Sequence, residues 1–473
     1  MSNVLLMTSN GAGMGHLTRL LAVALALGPD HRATLFSLSL GLPTVTGLGV
    51  AGEYCPSYDR PWVATRNWNS YLRDRLVAII EETGTDVVVF DGVAPYPGIA
   101  GAAREKRDVA FVWLRRGMWK DTNHRALAKG RFFDLVIEPG DLAGEADHGP
   151  TSLLDDSVRV APISIIEALG TLPREHARSE LGLPADGDIA LVTLGSGRLG
   201  EVATPGRIAV EALLKLPGWH VAVTRSPIAT NEIELDRAGR LTEMRGVYPL
   251  ARYLSAFDLA VSSAGYNAVH ELVPAGVPTL LVANTSTRTD DQSSRAASLE
   301  SQGLAFAVND DDSDGLRRKL EAISDTEARS RLSEQARASR DSLSGAAETG
   351  VLATAFADGF LGRRLTIPDR IAATVQASKE TTKSVLGEAG TERLKRLFGR
   401  QPSPVHQRSS VRVIEGHPGS LEGDDVPPLA VLDKLSTNDL DRGHPVEHVL
   451  PGSSLAYRER RLEIIDRYYD VVT

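Results

Sequence analysis

The sequence predicts an α/β protein built from two doubly wound parallel-sheet domains. Short β-branched or apolar runs alternate with longer helical patterns through the first 360 residues, which is the rhythm of parallel sheets with crossover helices. That rhythm restarts once, after a joint near residues 160–185. The composition fits: 473 residues, 42% hydrophobic and 24% charged, are enough for two or three domains with large cores.

In the first half the strand-like runs are Val4–Met7, Arg32–Ser37, Asp86–Phe90, Ala110–Leu114, Leu135–Ile137 and Val158–Val160. Helical patterns fall at His16–Leu27, Tyr71–Thr83 and Gly98–Lys106. In the second half, strands are expected at Ile189–Thr193, His220–Val223, Leu259–Val261, Thr279–Val282 and Ala305–Val308. Helices are expected at Thr204–Leu216, Tyr266–Pro274 and Asp291–Gln302, with further helices over about 315–360 that pack back on either domain. After residue 365 the texture changes. Residues 401–455, rich in Pro, Gly, Ser and Asp, read as a flexible linker between helical patterns at Thr391–Phe398 and Tyr457–Tyr469. The stretch 391–400 carries Arg393, Lys395, Arg396 and Arg400 beside Leu394, Leu397 and Phe398. It reads either as a solvated amphipathic helix or as a peripheral contact with an anionic membrane.

Charge and cysteine content exclude several classes. Lys+Arg 52 against Asp+Glu 61 gives a net charge of 52 − 61 = −9, which disfavours general nucleic-acid binding. The single cysteine, Cys55, excludes an intramolecular disulfide or a cysteine-cluster metal site. The first residues lack the basic start and apolar core of a secretory signal, and no run of about 18 apolar residues occurs, so a cytoplasmic protein is expected.

Two glycine loops carry the first chemical signal. Val4–Met7 runs into Thr8-Ser9-Asn10-Gly11-Ala12-Gly13-Met14-Gly15-His16, and Ile189–Thr193 into Leu194-Gly195-Ser196-Gly197-Arg198-Leu199-Gly200. Each lets backbone N–H groups approach a phosphate-bearing ligand, and each also suits a plain structural turn. The first is not a P-loop, because His16-Leu17 stands where Lys-Ser/Thr is needed. It is not a dinucleotide fingerprint either, since His16 replaces the third glycine and Leu35–Leu40 contains no acidic residue. One loop after the first strand of each half points to a ligand held in a cleft between two domains.

The sharpest segment is 247–302. Val247-Tyr248-Pro249 leads to a strand ending Ser262-Ser263-Ala264-Gly265, a helix carrying Glu271, then Ala275-Gly276-Val277-Pro278, a strand, and Asp290-Asp291-Gln292. With that order of parts the sequence resembles the MurG-like glycosyltransferases of the GT-B fold. The resemblance covers about residues 1–310, is specific over 245–300 and stops by about 365.

The resemblance implies two Rossmann-like domains facing a cleft, with residues 1–165 on the acceptor side, 166–362 binding the nucleotide sugar, and 363–473 as a partly disordered extension. It implies that Glu271 accepts both ribose hydroxyls of the donor and that Ser263 and Gly265 bind diphosphate at a helix N-terminus. Gly13, Gly15, Ser196 and Gly197 would add loop contacts, and Arg225 a further diphosphate contact. Val247 and Tyr248 would read the base with their backbone, while Asp291 and Gln292 would touch the donor sugar. The donor is expected to be UDP-linked, the acceptor a glycan, a lipid-linked or a small molecule, and the reaction inverting, without cofactor. The rivals are a nucleotide-sugar epimerase on the same fold and a non-catalytic scaffold that binds nucleotide sugars or glycans.

His16 titrates near neutrality and is the candidate base; Asp91, ending its strand at the carboxyl edge, would orient that base or bind acceptor. Arg115 and Arg116 are candidates for phosphate contacts, and Trp62, Trp68, Trp113 and Trp119 for an aromatic acceptor platform. No metal is expected. Asp186-Gly187-Asp188 reads as turn chemistry, and backbone N–H groups can carry the leaving-group charge. The first loop departs from the family in placing Met14 between Gly13 and Gly15 where a Gly-Gly-His ending is usual.

Overall fold

A computed structural model describes residues 1–9, 14–58, 67–195, 203–225, 239–363 and 450–468, with the backbone of 412–415 and 446–449. Seven parallel strands form the first sheet: β1 (Asn3–Thr8), β2 (Arg32–Ser37), β3 (Gly52–Tyr54), β4 (Val87–Asp91), β5 (Ala110–Leu114), β6 (Leu135–Pro139) and β7 (Val158–Val160). Their order is β3-β2-β1-β4-β5-β6-β7. The helices are α1 (Gly15–Ala26), α2 (Leu42–Thr46), α3 (Trp68–Thr83) and α4 (Pro97–Glu105), and then α5 (Ile165–Leu169) and α6 (Arg174–Glu180) lead to the second sheet. The central strands β1, β4 and β5 are apolar on both faces, as helices on both sides require: Leu5, Leu6, Val88, Val89, Phe111 and Val112 are all inaccessible.

The second sheet has six parallel strands in the order β10-β9-β8-β11-β12-β13. These are β8 (Asp188–Thr193), β9 (Trp219–Arg225), β10 (Leu241–Arg245), β11 (Leu259–Ser263), β12 (Thr279–Ala283) and β13 (Phe306–Asn309). Its helices are α7 (Ala203–Lys215), α8 (Tyr266–Leu272), α9 (Gln292–Ser301), α10 (Ser313–Ser324), α11 (Thr326–Arg337) and α12 (Gly345–Asp358). The expected doubly wound pair is therefore present. Each sheet reverses its winding once, between β1 and β4 and between β8 and β11, and open sheets bind ligands at the carboxyl ends of such strands.

Two placements depart from the sequence reading, and that of α12 falls within the alternatives it left open. Edge strands β3 and β10 carry too little apolar pattern to be seen: β10 reads Leu-Thr-Glu-Met-Arg and buries only Met244. Helix α12, the last element of the range 166–362, packs on α1, β4 and β5 of the first domain, where Gly350 lies against Leu27. Inside the stretch read as linker, β14 (Arg412–Glu415) and β15 (Val446–Val449) pair in parallel. The C-terminal helix α13 (Leu455–Tyr468) docks on α3 and buries Tyr457, Arg461, Ile464 and Ile465. There the fully buried Glu53 of β3 accepts from Arg75 (2.6 Å), Arg461 (3.3 Å), Tyr457 (2.8 Å) and the Leu450 N–H (3.2 Å). The basic stretch 391–400 lies outside the described residues.

Candidate functional site

The two switch points face each other. Strand β1 delivers its chain to α1, whose second residue is His16, and the neighbouring β4 ends in Asp91 in register with Thr8. His16 Nδ1 lies 2.8 Å from Asp91 Oδ1. Arg19, one turn along α1, donates to Asp91 Oδ2 from Nε and to Oδ1 from Nη2, both at 2.9 Å. Arg19 is 3% exposed and Asp91 1%.

Electrostatics fixes the protonation of this cluster. Burial alone would raise the Asp91 pKa, but the Arg19 guanidinium and His16 bring it down to about 2, so the carboxylate is ionised at neutral pH. His16 Nδ1 stands 2.8 Å from both the ionised Asp91 Oδ1 and the guanidinium Nη2 of Arg19; in the tautomer that donates from Nδ1 to Asp91, the Nε2 lone pair is free. Burial also lowers the His16 pKa; Asp91 opposes this, and the charges of Arg19 and Arg116 reinforce it. The lowered pKa favours the neutral imidazole at pH 7, the form that can accept a proton.

Across the cleft, α8 begins after Ser263 and Gly265, and no side chain caps its first turn. Asn267 Nδ2 donates to the Gly15 carbonyl (3.1 Å), and Asn267 Oδ1 accepts from Arg19 Nη1 (2.9 Å). The Tyr248 hydroxyl lies 2.9 Å from Thr18 Oγ1, so the residue expected to read a base with its backbone also ties the domains together through its ring. Val247, beside it, is partly buried against the core. One turn beyond Asn267 on the same face of α8, Glu271 has no hydrogen-bond or ion-pair partner among the described residues, and burial pushes its pKa up to about 8.

The other expected donor contacts divide. Gln292 sits beside Gly265, its amide 3.9 Å from where a Cβ there would stand, with its carbonyl on the Asn284 N–H (3.0 Å) and its NH2 on Asp290 (3.3 Å). Asp291 caps α9, accepting from the Ser294 N–H (3.1 Å) and hydroxyl (2.8 Å). Arg225 ends β9 in an ion pair with Glu243. Gly13, Ser196 and Gly197 lie outside the described residues.

Two expectations are corrected. Arg115 is wholly buried against Asp156 (2.6 Å) and Glu138 (3.4 Å), so it is spent within the first domain and meets no phosphate. Arg116 is the arginine at the cleft, near Asp290 (3.4 Å) and over the Tyr266 ring (5.5 Å). Three of the four tryptophans form no platform. Trp68, Trp113 and Trp119 are 1%, 0% and 3% exposed, and Trp68 and Trp113 donate to the carbonyls of Pro56 and Gly92. Trp62 lies outside the described residues. Met14 packs on Gly41, where any Cβ would stand 2.1 Å from its sulfur.

Sequence reasoning missed Arg19 and Asn267, because partners so distant along the chain leave no local pattern, and it missed the nearby Asp290–Arg295 pair (2.9 Å), which has no motif of its own. The only available signal was a lone Arg inside the apolar face of α1. Among the described residues no group of three His, Cys, Asp or Glu is placed to hold a metal, and no helix is long and apolar enough to cross a membrane.

Residues 241–349 match the model of the glycosyltransferase family 28 C-terminal domain. No curated protein sequence matches the chain. Among solved structures, the spinosyn forosaminyltransferase SpnP is similar over 76% of this chain and 99% of that one, at 16% identity and a TM-score of 0.55. The glycotransferase of kitacinnamycin aligns over 74% of this chain and 97% of its own, at 17% identity and a TM-score of 0.50. UDP-GlcNAc 2-epimerase from Neisseria meningitidis, solved with UDP-GlcNAc, aligns over 75% and 99%, at 14% identity and a TM-score of 0.54. At these identities the likeness is one of fold, the two facing domains of GT-B.

Proposed function

We propose that the chain is a glycosyltransferase that takes a nucleotide sugar between its domains and passes the sugar to an acceptor hydroxyl with inversion. The observation that carries this reading is the His16–Asp91 pair at one switch point, facing at the other a Glu271 without a partner among the described residues. The family 28 match over 241–349 supports it and contains the segment 245–300, where the resemblance to the MurG-like enzymes is specific. Asp91 holds the Nδ1 proton, so Nε2 removes the acceptor proton as the hydroxyl attacks the anomeric carbon. Glu271 accepts the two ribose hydroxyls. The first turn of α8 and the glycine loops, with Arg116 near His16, offset the charge gathering on the departing diphosphate. UDP is the nucleotide proposed, and an unidentified glycan, lipid-linked or small molecule is the acceptor.

The same fold carries epimerases, which convert the donor sugar and release no free nucleotide in net turnover. Incubation with UDP-GlcNAc and other sugar nucleotides, followed by separation of nucleotide, donor and epimer, distinguishes the two. Slow nucleotide release that is lost in His16→Ala supports the transferase. An epimerised donor replaces it with the epimerase, and binding without turnover with the scaffold.

A further inference from the structure

The geometry points to Arg19 and Asn267 as a positioning pair that makes the His16 base dependent on the second domain. This deepens the reading of His16 as the base. Arg19 spends all three of its nitrogens in one buried place: Nε and Nη2 hold both oxygens of Asp91, and Nη1 holds Asn267 Oδ1 across the cleft, with Tyr266 under the guanidinium at 5.2 Å. Asn267 uses its other end on the Gly15 carbonyl, next to His16. Both ends of the dyad's support therefore return to one side chain of α8.

Glu271 lies four residues beyond Asn267 on that helix, so a ligand that shifts α8 also shifts the anchor of Arg19. Planarity matters here. A lysine can neutralise Asp91 but cannot hold two carboxylate oxygens and an amide oxygen at once. Neither residue touches reacting atoms in this scheme; both act through Asp91 and His16.

Three charged groups face His16: Asp91 from β4, Arg19 from α1 and Arg116 from the stretch after β5; α8 contributes the neutral Asn267. Asp91 favours the imidazolium, and the two arginines oppose it. Removing or releasing Arg19 therefore raises the pH at which His16 loses its proton.

The test is the titration of His16 by NMR in the full-length protein with labelled histidine, the resonance being assigned by its loss in His16→Gln. Arg19→Gln should move the midpoint upward. Asn267→Ala should move it in the same direction by less. Arg19→Lys, retaining the charge, guards against a variant that fails to fold, and is expected between wild type and Arg19→Gln. Arg178→Lys, at another buried arginine that holds Asp258, should lower the melting temperature and leave the midpoint alone. If Arg19→Lys and Asn267→Ala lower the melting temperature while His16 titrates as in the wild type, the pair is structural and the inference fails. No nucleotide enters this experiment, so its outcome is separate from whether the cleft binds a sugar donor.

Discussion

The two switch points of this molecule are built alike and finished differently. In the first, His16, Asp91 and Arg19 satisfy one another's charge before any ligand arrives. In the second, Glu271 is left half-buried with nothing to hold among the described residues, and its ordinary acidity is lost to burial. A satisfied cluster holds the imidazole in place, which is what a proton-transfer group needs. An unsatisfied carboxylate stores unfavourable desolvation that a ligand's hydroxyls relieve, which is what a binding group needs. On the proposed reading, the first domain carries the chemistry and the second the affinity.

Removing the base should break that division most visibly. His16→Ala is expected to cut transfer by about 10²–10⁴-fold while leaving the thermal stabilisation by UDP unchanged. A parallel loss of UDP binding would show that the first switch point also serves affinity. Asp91→Ala should be severe in another way. It leaves the Arg19 guanidinium buried and uncompensated, at a cost of about 3–5 kcal/mol. Denaturant unfolding would measure this, and an unchanged midpoint would mean that water reaches the cluster. Glu271→Ala should weaken UDP by about 1.5–3 kcal/mol, the range for a hydrogen bond to a charged group, with little change in the rate at saturating donor. Calorimetric titration checks it, and a fall in kcat at unchanged affinity would move Glu271 to the chemistry.

How much of this was legible follows the same contrast. The second switch point was readable because its parts are consecutive: the strand ending at Ser263, Gly265, Glu271 and Gln292 fall within thirty residues. The first was readable only as isolated candidates. His16 and Asp91 stand 75 positions apart, and Arg19 and Asn267 stand 248 apart. Their relation exists only after β1 and β4 pair and the domains face each other. Arg115 and the tryptophans misled for the matching reason, since composition does not say which way a side chain at a strand end turns. The edge strands β3 and β10 were invisible because β3 is only Gly-Glu-Tyr and β10 buries only Met244, so neither shows the apolar alternation that marks a strand.

The smallest expected effect is also the most specific, because two observables should move in opposite directions. Burial raises the Glu271 pKa from its ordinary carboxylate value to about 8. Between those two values the folded protein keeps a proton that the unfolded chain has released, so this residue's contribution to stability falls as pH rises through the window. Glu271→Gln removes that proton and should therefore raise the melting temperature relative to wild type at pH 8–9, with no such gain near pH 4. Binding runs the other way. The ionised carboxylate accepts both ribose hydroxyls, so wild-type affinity for UDP should climb as pH approaches 8 from below and level off above it. The glutamine variant, which accepts only one of the two, should bind more weakly and lose that climb. A melting temperature that fell in Glu271→Gln at pH 8–9 would mean that the carboxylate already has a stabilising partner, and the contrast between the two switch points would collapse.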